Sequence, residues 1–354
     1  MKNLLSSLLA TVIGILIMTI VVVLIFVGIV AANTSKDLPE VKENSVLLAK
    51  FSAPIADRAD DSPFSKFFTL NPLDDQAMGL NQILKDLKKA KSDENIKGIF
   101  LNLRNVPSGI TTLSEVREAL LDFKESGKFI YAFADAYTQK SYYLATVADS
   151  IFMTPQGMFL FTGLSAEATF YKEALDKLGI EMQVIKHGSY KSAAESFTRT
   201  DLSKENREQI AGYVGSIWNK MVLDISENRD IPVEKLNQYA DELISIESDK
   251  LVETGMIDGL IYYDEMLTLM KEKMGVEEED DLDAISLSSY KDVPTKVKKE
   301  YSRDKIAVIY AMGLVIDGNA GEGYIGSERI AKNIRKARRD KSVKAIVFRV
   351  NSGG

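Results

Sequence analysis

Residues 79–103 (GLNQILKDLKKAKSDENIKGIFLNL) align without a gap on residues 326–350 (GSERIAKNIRKARRDKSVKAIVFRV), an offset of 247. Eight of the twenty-five positions are identical, among them Gly79/Gly326, Lys89/Lys336, Asp93/Asp340 and Lys97/Lys344, and most others exchange like for like. The first copy carries an apolar stripe at Leu80, Ile83, Leu84 and Leu87, the spacing of a helix with one buried face, followed by a short apolar run that reads as a strand. The preceding apolar runs also correspond, VLLAKF at 46–51 beside IAVIYA at 306–311, although the connection is longer in the first copy. A gapless match across helix, turn and strand marks a duplicated unit.

Further strand-like runs lie at 98–103, 128–133, 150–154, 180–185 and 257–262, with helical patterns between them and a long helical region from about Ser203 to Lys273. Strands alternating with helices imply crossover connections, hence an α/β fold with a mostly parallel sheet. In the first copy the strand 98–103 leads into a turn and a helix near 112–126, whereas the second copy reaches Gly354 inside the corresponding turn. A parallel sheet needs cover on both faces, so the second copy is expected to be incomplete. The organisation read from the chain is a first α/β half at 46–275, an acidic linker at 276–304 containing the charge run Glu277–Asp281, and the start of a second half at 305–354.

The N-terminus adds a different element. No charged residue occurs between Lys2 and Lys36, and positions 8–32 are almost continuously apolar. Twenty-five helical residues at ~1.5 Å each exceed a ~30 Å hydrocarbon core. A cleaved secretory signal is the competing reading, with small residues at Val30-Ala31-Ala32, but signal h-regions run only ~7–15 residues. The expectation is therefore a cytoplasmic tail at 1–7, a membrane anchor at 8–32, a tether at 33–45, and a folded body outside.

Composition narrows the chemistry. There is no cysteine, which excludes thiol nucleophiles and disulfides, and the single histidine, His187, excludes a multi-histidine metal centre. The net charge of −7 offers no basic stripe to nucleic acid.

Two segments remain as chemical candidates. The first is His187-Gly188-Ser189-Tyr190-Lys191-Ser192-Ala193-Ala194-Glu195, directly after the strand expected at 180–185. A lysine just past a parallel strand stands where open α/β sheets place ligands. To act as a base near neutrality its pKa must fall from ~10.4 to ~7–8, about 4 kcal/mol. On position alone, an exposed lysine at a helix start remains an open reading. The second segment is the ending VFRVNSGG, where a glycine pair after a strand permits a sharp turn and exposes backbone N–H groups. Ordinary turn chemistry explains it equally well.

Together these segments resemble signal peptide peptidase A, a bacterial serine peptidase family whose fold is similar to crotonase and the caseinolytic protease. GSYKSAAESFTRTDLSKENREQ resembles the family's catalytic-lysine segment, and VKAIVFRVNSGG its strand and turn before the nucleophile. The long form of that family has an N-terminal anchor and two homologous halves. The resemblance implies that Lys191 is the general base of a Ser–Lys dyad and that the nucleophilic serine lies beyond Gly354. It also implies that Gly326 and Ser327 belong to the oxyanion region, together with the Gly353-Gly354 turn. Gly353 stands where the family usually has proline. Further implications are a bacterial inner-membrane location, remnant signal peptides or other hydrophobic peptides as substrates, a tetramer completing each site between neighbours, and no cofactor.

Rival features carry less. Ser114 falls at the repeat position of the expected nucleophile, yet Thr112-Leu113-Ser114-Glu115 fits a helix start. Gly321–Gly326 spells G-x-G-x-x-G, but the next strand ends without an acidic residue for a ribose. His187 reads as a loop residue and Glu195 as structural. The competing functions are an inactive peptide-binding scaffold of the same fold and a crotonase-like acyl-transfer enzyme.

Overall fold

The computed structural model describes residues 2–34, 39–58, 78–244, 247–294, 302–321 and 323–353. The chain begins with α1 (Lys2–Thr34). Its described side chains, Ser6 and residues 10–25, are all exposed. Among the described residues no helix is long and apolar enough to cross a membrane. The expected anchor at 8–32 extends past those described side chains at both ends.

The first half is built on six strands in the order β5-β4-β3-β2-β1-β6, every adjacent pair parallel. They are β1 (Ser45–Ala49), β2 (Ile96–Asn102), β3 (Phe129–Tyr137), β4 (Ser150–Phe159), β5 (Gly259–Leu260) and β6 (Ala284–Ser286). Crossovers run through α2 (Leu80–Ser92), α3 (Ile110–Lys124) and α4 (Gln139–Ala145). The apolar stripe of α2 does what its spacing predicts: Leu80, Ile83 and Leu87 are buried in the main core beside Ile99, Leu101, Leu113 and Leu120. Each such side chain, fully buried, stabilises the fold by roughly 1.5–3 kcal/mol. The segment read as an acidic linker contributes β6 and the short α11 (Leu287–Tyr290), which close the β1 edge of this sheet.

Two expectations differ from the structure. Residues 180–185 form no strand. Among the described residues nothing pairs with them, and Ile180, Met182, Val184 and Ile185 stand in solvent, Ile185 fully. Apolar character without a neighbouring strand does not make a ladder. The long helical region is also subdivided, into α7 (Lys204–Arg229), α8 (Val233–Asp241), α9 (Ser248–Glu253), β5 and α10 (Tyr263–Met274). Asp230, in the left-handed region at φ +53, ends α7, and Pro232 caps α8. Between β4 and α7 lie two short helices, α5 (Lys172–Lys177) and α6 (Glu195–Thr198).

The duplication is visible in backbone detail. α12 (Ser327–Arg339) has both ends displaced by 247 from those of α2. The N-cap residues Gly79 and Gly326 share φ/ψ of −74/133 and −75/126, and the C-caps Asp93 and Asp340 share −85/112 and −78/112. β7 (Lys305–Met312) pairs in parallel with β10 (Val343–Asn351) as β1 does with β2, and both pairs carry a register shift at the same place. The second copy adds β8 (Leu314–Ile316) beside β9 (Tyr324–Gly326). Its sheet is far less covered. Ile346, Val347, Phe348 and Val350 are 39–58% exposed, whereas their counterparts Ile99, Phe100, Leu101 and Leu103 are at most 3% exposed. In the first copy β3 and α3 lie against those positions; among the described residues no strand but β7 pairs with β10.

Candidate active site

Lys191 sits on an arm. Of the 26 residues of α7, only Met221, Val222 and Ile225 are buried, so the helix is rooted near its C-terminal end. The root is reinforced by polar contacts: Tyr143 Oη donates to Asp224 Oδ2 at 2.5 Å, and the buried Arg117 donates to the Asp224 carbonyl at 3.3 Å. Arg229 donates to both Asp258 oxygens at 3.0 Å. The first part of α7 projects from this root and carries the Lys191 loop at its tip.

The tip is fastened by Glu195. This buried carboxylate accepts from Ser203 Oγ at 2.6 Å, Ser203 N–H at 3.2 Å and Asn206 Nδ2 at 3.0 Å. Ser203 is itself the N-cap of α7, accepting from Asn206 N–H at 3.1 Å. The Ser203 hydroxyl holds the Glu195 carboxyl below its ordinary 4.5, with the Ser203 N–H and Asn206 acting in the same sense against burial. Glu195 is thus structural, as the sequence suggests. α6 is tied in turn to α5: Tyr171 N–H donates to the Ser196 carbonyl at 2.6 Å, and the Tyr171 and Phe197 rings stack at 5.8 Å.

Lys191 itself is exposed. Its N–H closes a turn onto the Gly188 carbonyl at 3.4 Å, and its own carbonyl accepts from Lys186 Nζ at 3.4 Å. Gly188 has φ +96, a value that glycine adopts without strain. Among the described residues the Lys191 ammonium has no carboxylate partner. His187 is an exposed loop residue.

The other candidates lie on the second copy. Gly326 fits its position only as glycine, since a Cβ would stand 2.6 Å from the Ala320 nitrogen. Ser327 Oγ donates to Asp317 Oδ1 at 2.8 Å and accepts from Gly318 N–H at 2.9 Å, fixing the loop before α12. Gly353 is exposed with open space around it, and Gly354 lies outside the described residues. The turn they belong to is pinned at Gly313: Gly313 N–H donates to the Asn351 carbonyl at 3.0 Å, and Ser352 Oγ donates to the Gly313 carbonyl at 2.6 Å. Among the described residues no hydrogen bond joins Lys191 to Gly326, Ser327 or Gly353. Of the glycine run 321–326, Gly323 has φ +83 and residues 324–326 form β9, paired with β8.

Ser114 is half-buried on α3 near the Tyr143 phenol, which burial, with help from Asp224, pushes up to about 12. Sequence reasoning missed a further group. Arg349 of β10 reaches across to the first half, 2.7 Å from Asp57 Oδ1 and 2.8 Å from Glu115 Oε1. The available signal was an arginine inside the apolar run 345–350.

An α/β body with a lysine loop presented on a helical arm defines the class, and comparison with known proteins supplies the rest. Peptidase family S49 matches residues 122–277, a span that contains Lys191 and the whole arm. Over this span the chain is similar to that family, and beyond it to proteins named Protease 4 and signal peptide peptidase SppA. It is 33% identical to Protease 4 of Haemophilus influenzae over 277 residues, covering 76% of this chain and 45% of that protein. Protease 4 of Salmonella typhi is 34% identical over 288 residues, covering 79% and 46% respectively. The chloroplastic serine protease SPPA of Arabidopsis thaliana is 29% identical over 319 residues, covering 89% and 45%. The chain spans about half the length of the curated relatives it matches.

Proposed function

We propose that the protein of which this chain is part hydrolyses peptides through a Ser–Lys dyad, with Lys191 as general base. The observation that carries the reading is the environment of Lys191. It lies within the matched family span, on a loop ordered by the Glu195 network, and among the described residues its ammonium is not tied up by a carboxylate. In the proposed reaction the Lys191 amine accepts the proton of a serine hydroxyl, the alkoxide attacks a peptide carbonyl, and an acyl-enzyme forms and is hydrolysed. Backbone N–H groups near Gly326, Ser327 and the Gly353-Gly354 turn stabilise the oxyanion. Ser114, half-buried on α3, is not assigned as the nucleophile.

The names of the relatives, which include signal peptide peptidase SppA of Enterococcus faecium, support hydrophobic peptides such as signal-peptide remnants as substrates. A crotonase-like body in two halves is consistent with the duplicated unit. The exposed apolar residues of the arm and of β10 support assembly into a homo-oligomer, for which a tetramer is proposed. The apolar run 8–32 within α1 supports a single-pass anchor in the bacterial inner membrane with the body on the extracytoplasmic side.

The test is cleavage of a fluorogenic hydrophobic peptide by the full protein and its Lys191→Ala variant. Loss of the base should lower turnover by roughly 10²–10⁴-fold without changing the oligomeric state. Unchanged turnover eliminates Lys191. Peptide binding without turnover in the unmodified protein favours the second reading, an inactive peptide-binding scaffold, which the exposure of Lys191 also suits.

A further inference from the structure

The two copies of the repeat place an aspartate at the same point. Ala56 bridges Gly79 in the first copy and Ile316 pairs with Gly326 in the second, the two glycines being related by the 247-residue offset. The next residues are Asp57 and Asp317. In the second copy Asp317 turns inward on its own unit, accepting from Ser327 Oγ at 2.8 Å. In the first copy the residue at the position of Ser327 is Leu80, which has no hydroxyl to give. Asp57 is nevertheless more deeply buried, its side chain 1% exposed. A carboxylate taken so far from water requires a cationic or hydrogen-bonding partner.

That partner comes from the other half. Arg349 Nη2 lies 2.7 Å from Asp57 Oδ1, while Nη1 and Nη2 lie 3.0 and 2.8 Å from the two oxygens of Glu115 on the first turns of α3. This is the forked geometry of a guanidinium on a carboxylate, with a second carboxylate at one prong. The residue corresponding to Arg349 in the first copy is Asn102, uncharged. The duplicated unit has therefore diverged at both ends of one contact: an acid left without its serine partner, and a cation placed to meet it.

We propose that Arg349, held between Asp57 and Glu115, is a latch that locks β10 onto the first half and makes Arg349 a positioning residue for the Asn351–Gly353 turn. Arg349 lies two residues before Asn351. The turn is pinned to its own half through Gly313, by the Asn351 carbonyl and the Ser352 hydroxyl. The latch supplies the second point of attachment, to the half that carries Lys191. The latch stands on geometry alone; only its bearing on catalysis rests on the peptidase reading, so the test reads docking and not activity.

The experiment is hydrogen exchange by mass spectrometry on the whole chain, comparing Arg349→Met, Arg349→Lys, Asp57→Asn and the double variant Asp57→Asn/Arg349→Met. Arg349→Met should speed exchange of amides in 343–353 by about tenfold or more, a factor that corresponds to ~1.4 kcal/mol, while peptides from β2 and β3 keep their protection. Lysine, which cannot fork, should fall between. The double variant should add nothing to the larger single effect, because both changes break one contact. Unchanged exchange in Arg349→Met, or additive effects in the double variant, overturns the proposal. If Asp57→Asn exposes β2 and β3, Glu115→Gln takes its place in the cycle and the same criterion of non-additivity decides.

Discussion

Replacing Glu195 by alanine should release the Lys191 loop without unfolding the body. The carboxylate accepts three hydrogen bonds, from the Ser203 hydroxyl at 2.6 Å, the Asn206 amide at 3.0 Å and the Ser203 N–H at 3.2 Å. A hydrogen bond to a charged group contributes roughly 1.5–3 kcal/mol, but two of these donors regain water once the loop opens. The expected net loss is about 2–3 kcal/mol, confined to the tip of α7, where few side chains are buried. Amides of 188–206 should then exchange about 30–100-fold faster, since each ~1.4 kcal/mol is tenfold. The thermal midpoint of the body should move little. Glu195→Gln keeps the acceptor toward Ser203 and turns an NH₂ toward Asn206, so about half the effect is expected. Acid should reproduce the alanine result. The carboxyl lies below its ordinary 4.5 in the fold, so its contribution is complete above that value and is lost as pH falls through the folded one. Equal exchange of 188–206 in Glu195→Ala and the unmodified chain would refute the claim that this network orders the loop.

Arg117→Met removes a buried guanidinium that donates to the Tyr143 carbonyl, to Thr146 Oγ1 at 2.6 Å and to the Asp224 carbonyl at 3.3 Å. Losing those bonds from a buried charged donor should cost about 2–4 kcal/mol in urea unfolding, and Arg117→Lys should recover part of it. Gly313→Ala places a Cβ 1.8 Å from the Gly323 carbonyl oxygen at φ +97. It should abolish exchange protection in 314–316 and 324–326 and loosen the Asn351–Gly353 turn, while the first half is unaffected. Gly212 and Gly215 lie within α7 with open space at their Cβ positions; alanine at either should slow exchange along the arm, in line with ~1 kcal/mol of helix propensity.

The duplicated unit was legible because each of its parts is specified locally. The stripe Leu80, Ile83, Leu87 fixes a helix face, Gly79 and Asp93 mark its ends, and the same signals recur 247 residues later. The parallel strands 46–51, 98–103, 128–133 and 150–154 were legible for the same reason. Residues 180–185 were not, because a strand exists only with a partner, and apolar alternation does not say whether one is present. The breaks at Asp230 and Pro232 carried a signal that the helical reading passed over. The Asp57–Arg349 contact spans 292 residues and joins a charge in an apolar strand to an aspartate in a loop. No local pattern specifies such a pair; only the comparison of Asp57 with Asp317, once the bridges to Gly79 and Gly326 are known, singles it out.

The exposure of Lys191 bears on how a base would arise here. Bringing an ammonium from ~10.4 to ~7–8 takes about 4 kcal/mol, from burial or from a positive neighbour. Lys186 is the nearby cation, with its Nζ 3.4 Å from the Lys191 carbonyl, and it is itself exposed, so solvent screens it. Burial is left as the larger source. The loop is preceded directly by Ile180, Met182, Val184 and Ile185, which stand open to water. A chain that covered this strip would gain roughly 25 cal/mol for each Å² of apolar surface removed from water, and the same contact would exclude water from the loop five residues further on. In the proposed peptidase, activation of Lys191 and occupation of the 180–185 strip are then one event.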